Sequence, residues 1–96
     1  MKKLKSLEIL LVEDVCESHG ATYKGKKCGT LSLGSTFSFY FGHHMTTIEG
    51  GFVCTDDDEL YNIMKMKRSH GMAREALPEK YRQYQQEHPD IHPMFM

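Results

Sequence analysis

The sequence predicts an α/β fold, a partial and mostly parallel sheet accompanied by helices. Three observations carry that expectation. Residues 7–12, LEILLV, form a short, nearly continuous apolar run, the pattern of a strand buried on both faces of a parallel sheet. Two further strand-like runs follow, TFSFYF at 36–41 and GGFVCT at 50–55, the first of them strongly aromatic. Directly after them the apolar spacing changes to that of a helix.

Taken in order, the N-terminal MKKLKSLEILLVED opens with lysines, but its apolar stretch is short and ends in Glu13 and Asp14. No small-residue cleavage site follows, so the segment reads as a strand and not as a signal peptide. The next stretch, VCESHGATYKGKKCGTLSLGS, is rich in glycine, and Tyr23 to Lys27 within it reads as the tight turn of an exposed hairpin. Between the two later strands lies a glycine-punctuated turn that carries adjacent histidines, His43 and His44. The helix then starts at Thr55 or Asp56 as cap, with Asp58 or Glu59 three residues on. Leu60, Ile63 and Met64 make its apolar stripe, Lys65, Lys67, Arg68 and His70 suit the negative end of its dipole, and Gly71 suits C′. EKYRQYQQE at 79–87 suggests an exposed helix, which Pro89 and Pro93 stop. Met94, Phe95 and Met96 are expected to be exposed. With so few covering helices, residues 1–96 read as one piece of a larger α/β domain.

Composition narrows the function classes. Twelve basic against thirteen acidic residues give a formal charge of −1, which argues against nucleic acid as a partner. No apolar run approaches the roughly 20 residues that span a bilayer. Three widely spaced cysteines, Cys16, Cys28 and Cys54, form no C-x-x-C pair and read as reduced thiols of a cytoplasmic protein.

Three arrangements could carry chemistry. Gly20 to Lys26 fits G-x-x-x-x-G-K, but Lys27 stands where a phosphate loop needs Ser or Thr, and no helix opens from it. A zinc site from His43, His44, His70 and a cysteine lacks ligand spacing, and prolines interrupt His88 and His92, so no metal is expected. The third arrangement is more informative. Asp14 stands at the carboxyl end of an expected parallel strand, where open α/β sheets hold ligands. Its carboxylate could equally cap the segment that follows. Ser38 and His43 surround the next strand end, so an acid, a hydroxyl and an imidazole lie at neighbouring strand ends, which suits a cofactor pocket.

The blocks VED…HGA and FSFY…EGG, with YKGKKCGT between them, closely resemble the middle of the DegT-type sugar-nucleotide aminotransferase and dehydratase family. The resemblance runs from about Leu10 to the C-terminus. It implies part of the large domain of a fold-type-I enzyme, normally a homodimer dependent on pyridoxal phosphate. Such enzymes act on keto-sugar nucleotides of cell-surface and antibiotic pathways, with glutamate as a common amino donor. By the resemblance, Asp14 falls on the aspartate at the cofactor's pyridine nitrogen, where a carboxylate keeps the ring an electron sink. Ser38 falls on a serine that bonds the cofactor phosphate. Glu17 falls where a glutamine commonly lies over the ring, a departure. His43 falls on the lysine that normally binds the cofactor covalently. An imidazole cannot make that linkage, but it can move a proton near neutral pH. This histidine pair resembles a branch of 4-keto-6-deoxy-sugar-nucleotide 3-dehydratases, in which pyridoxamine phosphate is held non-covalently and the histidine is the base. His44 is expected to pack locally. An ordinary aminotransferase, or a non-catalytic interaction module, are the alternatives, and lysines 24, 26 and 27 on the hairpin are poorly placed to serve the first.

Overall fold

A computed structural model describes residues 2–96. The chain falls into two compact units, one ending at Asp56 and the other running Asp57–Met96. The first contains the short helix α1 (Lys2–Ser6) and strands β1 (Val12–Asp14), β2 (Thr22–Tyr23), β3 (Lys26–Lys27), β4 (Gly34–Ser38) and β5 (Gly51–Cys54). The second contains helices α2 (Asp58–Arg68) and α3 (Pro78–Glu87), with 3-10 turns at Ala73–Glu75 and Pro93–Phe95.

In the first unit three strands pair in the order β1-β4-β5. β1 runs parallel to β4, with Asp14 opposite Thr36, and β4 runs antiparallel to β5, with Phe37 opposite Phe52. The α/β class holds, with a mixed sheet: one junction is parallel and the other antiparallel.

Side chains alternate across a strand, so this register sorts the sheet into two faces. Glu13, Ser35, Phe37 and Phe52 share one. There the Phe37 and Phe52 rings stack 4.6 Å apart, and His19 lies against Phe37 and Phe39 at 5.8 and 5.0 Å. Ser35 is fully buried because its hydroxyl donates to the Gly29 carbonyl at 2.9 Å. A Cβ on Gly29 would meet the Phe37 ring at 2.6 Å, and its φ of 97° is itself a glycine conformation, so only glycine fits under the ring. Val15 extends β1, donating its N–H to the Thr36 carbonyl, and is the best-buried apolar side chain. The opposite face carries Asp14, Thr36 and Ser38.

The expected strand at 7–12 is corrected. Residues 2–6 are helical, pairing begins only at Val12, and Leu10 is 79% exposed. The reason is that β1 is an edge strand with β4 on one side alone. The strand expected at 36–41 is displaced two residues earlier, because Ser35 is drawn into the buried face and the chain turns at Phe41 and Gly42. The hairpin forms where expected. Lys24 and Gly25 both have positive φ, 48° and 76°, the primed turn whose twist suits a two-residue connection.

In the second unit, α2 is capped by Asp57, two residues after Thr55 and one after Asp56. Its carboxylate accepts the Leu60 N–H at 2.7 Å. At the other end His70, not Gly71, takes C′ with φ 60°. Gly71 follows, its N–H returning to the Met66 carbonyl at 2.8 Å in a Schellman-type closure. Asn62, which the apolar stripe does not include, is the buried residue of α2. It donates to the Asp58 carbonyl and accepts the Leu77 N–H, which joins α2 to the start of α3. Met94 and Phe95 are exposed as expected, but Met96 is buried, because the last 3-10 turn brings its carbonyl to the Arg74 N–H.

Candidate active site

β1 and β4 are parallel neighbours, so their carboxyl ends lie side by side and deliver Asp14 and Ser38 to one edge of the sheet. The turn after β1 adds Cys16 and Glu17. The turn after β4 brings back His43, whose N–H donates to the Tyr40 carbonyl at 3.1 Å and whose ring stands edge-on to Tyr40 at 5.2 Å. Asp14, Cys16, Glu17, Ser18 and His43 line one open hollow of about 390 Å³. A larger hollow of about 460 Å³, between Lys5 to Leu11 and Thr30 to Leu33, is mostly aliphatic. Chemistry, not size, selects the first, since it joins two carboxylates to an imidazole.

Asp14 is held below its ordinary carboxylate value. The Cys16 thiol contributes most, then the Cys16 N–H, which donates to Oδ1 at 3.1 Å. Burial opposes these two, and the Thr36 hydroxyl and the charge of His43 add smaller lowering effects. Asp14 therefore caps its own turn and also faces the hollow, so the two roles left open for it are compatible.

Of the expected site residues, the hollow brings together Asp14, Glu17 and His43. Ser38 stands at the adjoining strand end, half-buried, and is not part of the lining. Its Oγ accepts the Tyr40 N–H at 3.4 Å. His44 turns away toward His19, with ring centroids 5.1 Å apart. Both ring nitrogens of His19 are buried without a partner among the described residues. Lys24, Lys26 and Lys27 are exposed on the hairpin. Among the described residues no group of three His, Cys, Asp or Glu side chains converges to hold a metal ion.

Sequence reasoning missed Cys16 and Thr36. The first had a signal, since an aspartate commonly accepts the N–H two residues on. The second depends on strand register, which has no local signature. An ionised carboxylate at a parallel strand end suits a protonated ring nitrogen, and a nearby imidazole with no lysine in the hollow suits a non-covalently held cofactor. These residues fit pyridoxal or pyridoxamine phosphate.

The sequence profile of the DegT/DnrJ/EryC1/StrS aminotransferase family matches residues 2–91, and the chain belongs to that family. Similar relatives include the GDP-4-keto-6-deoxy-D-mannose 3-dehydratases of Escherichia coli O55:H7 and Yersinia pseudotuberculosis. They are 49% identical over 73 residues and 53% identical over 72, and the matches cover 76% and 75% of this chain. The E. coli GDP-4-keto-6-deoxy-D-mannose-3-dehydratase with bound hydrated PLP is similar in structure, with a TM-score of 0.70 and 46% identity over 76% of this chain. The match spans only about a fifth of these relatives' length: 19% and 18% of the two curated proteins and 19% of the solved chain.

Proposed function

We propose that this chain supplies part of the cofactor site of a sugar-nucleotide 3-dehydratase acting on a 4-keto-6-deoxy sugar nucleotide, within a mostly parallel fold-type-I large domain. The observation that carries this reading is the single hollow joining Asp14 to His43 with no lysine in its lining. When bound, pyridoxamine phosphate supplies an electron sink at the reacting carbon. Asp14, its carboxyl kept ionised, would hold the pyridine nitrogen protonated. Ser38, at the adjoining strand end, would bond the phosphate, and Glu17, on the turn after β1, would stand beside the ring. His43 is the proton carrier: an imidazole free of any covalent tie takes up and returns a proton at a ring nitrogen while the sugar's C3 hydroxyl departs. A homodimer, glutamate as amino donor and a cytoplasmic setting accompany this reading. The three free cysteines support the last.

The test uses a protein of full family length that carries these 96 residues. Borohydride should leave no cofactor on the peptide spanning residues 37–55. His43→Lys should create that linkage and suppress dehydration. His43→Ala should lower the rate of C3 hydroxyl loss by about 10²–10⁴-fold, whereas His44→Ala, whose ring leans on His19, should leave it within a few-fold. Retention of full dehydration by His43→Ala sinks the reading.

A further inference from the structure

His43 lies on the exposed segment that leads from the end of β4 to the start of β5. Two backbone bonds close the base of that segment. The Phe39 N–H donates to the Gly50 carbonyl at 2.9 Å, and the Thr47 N–H donates to the Phe39 carbonyl at 2.8 Å. The Thr46 hydroxyl donates to the same Phe39 carbonyl at 2.9 Å, and its oxygen accepts the Ile48 N–H at 2.9 Å. Ile48 has a φ of 74°, in the left-handed region. A β-branched side chain crowds its own backbone there, so the conformation is strained. Packing does not compensate, since Ile48 is 75% exposed.

We propose that Thr46 is a positioning residue for His43: its hydroxyl ties the histidine turn to the Phe39 carbonyl and holds Ile48 in its strained conformation. The strain works against the turn, because a released Ile48 relaxes to an extended φ. The bond from the Ile48 N–H to Thr46 Oγ1 opposes it, with the Thr47 hydroxyl donating to the Glu49 carbonyl at 2.8 Å alongside. A hydroxyl suits this place because it donates and accepts at once, so one side chain joins the Phe39 carbonyl to the Ile48 N–H. Residues 40–46 are thereby closed into a loop anchored at Phe39, and the His43 N–H, donating to the Tyr40 carbonyl at 3.1 Å, fixes its middle. In that loop the His43 ring stands edge-on to Tyr40 and lines the hollow that holds Asp14. Release of Ile48 lets the loop open and takes His43 from that wall. Thr46 is itself exposed, so its effect falls on the turn more than on the stability of the sheet.

The use made of His43 rests on the function proposed above, but its placement is readable without any cofactor. In the 96-residue chain, NMR follows amide hydrogen exchange and the ring protons of His43, which sense the Tyr40 ring. Thr46→Val keeps the side-chain shape and removes the hydroxyl. It should speed exchange of the Ile48 N–H several-fold and displace the His43 ring signals, and Thr46→Ser should retain both as they were. Ile48→Gly takes a left-handed φ without strain, so adding it to Thr46→Val should bring the His43 signals back toward their original positions. His43 signals unmoved in Thr46→Val overturn the proposal, even if the urea midpoint falls. Signals displaced equally in Thr46→Ser, or left displaced in the double variant, overturn it too. Should Thr46→Val not fold, Ile48→Gly alone decides the matter. Relief of strain should slow exchange of the Thr47 N–H, and an unchanged or faster rate overturns the proposal. No readout needs bound pyridoxal phosphate or turnover, so failure of the dehydratase reading and failure of this one are separate results.

Discussion

Glu13 and Asp14 are adjacent acids on one strand, yet alternation sends them to opposite faces and to unrelated work. Asp14 looks into the hollow. Glu13 clamps the 29–33 segment to β1: its carboxylate accepts the Gly29 N–H at 2.8 Å, the Leu31 N–H at 2.9 Å and the Ser32 hydroxyl at 2.8 Å. Burial raises the Glu13 carboxyl, but these bonds together outweigh it and hold the group below its ordinary value of 4.5. A carboxyl lowered by folding stabilises the native state above its unfolded value, and that contribution is lost as pH falls through the folded one. The stabilisation from Glu13 should thus be complete at neutral pH and disappear in acid, below about pH 4.5. Glu13→Gln should cost about 1–2 kcal/mol at pH 7 and flatten the acid limb of the stability profile. Urea unfolding at pH 7 and pH 3 checks both. An equal loss for the variant at the two values would mean that the clamp acts through shape and not charge.

At the scale of elements, the second unit depends on two polar contacts more than on its apolar stripe. Leu60, Ile63 and Met64 are only half-buried, whereas Asn62 is 6% exposed. Asn62→Ala removes the acceptor of the Leu77 N–H at the point where α3 begins and leaves that donor without its partner. Losing one buried partner costs about 1–3 kcal/mol. Asp57→Ala removes the α2 cap and costs about 1 kcal/mol. Thermal unfolding followed by helical circular dichroism should show the larger loss for Asn62→Ala. The reverse order would place the stability of this unit in the helix itself and not in its junction.

For the molecule as a whole, apolar surface is the dominant feature. Leu7, Leu10 and Val12 are each at least 60% exposed, and Phe52 and Val53 on β5 are about half exposed. Exposed apolar area on this scale favours association. The purified 96-residue chain should therefore self-associate, which light scattering at rising concentration checks. A monomer throughout, with cooperative unfolding, would refute it. The candidate hollow is also open, and positioning a substrate is a large part of catalysis. The chain alone should thus turn over no 4-keto sugar nucleotide above a His43→Ala control.

What the sequence determined by itself was whatever depends on near neighbours: the Lys24-Gly25 turn, the α/β class, the helices near residues 58 and 78, and the histidine turn. Each follows from backbone preference or apolar spacing within a few residues. The family was legible too, through motif blocks. Only the tertiary structure decided the rest. It showed that residues 7–10 lie outside the sheet, whose bonding starts at the Leu11 carbonyl, because pairing depends on a partner strand far along the chain. It placed Thr36 beside Asp14 through a parallel register that no local pattern encodes. It drew Asp14 and His43 to one hollow, sent His44 to His19, and left Ser38 at the margin. Contacts between residues about 20 to 30 positions apart are set by how the sheet closes, and a linear chain does not display that closure.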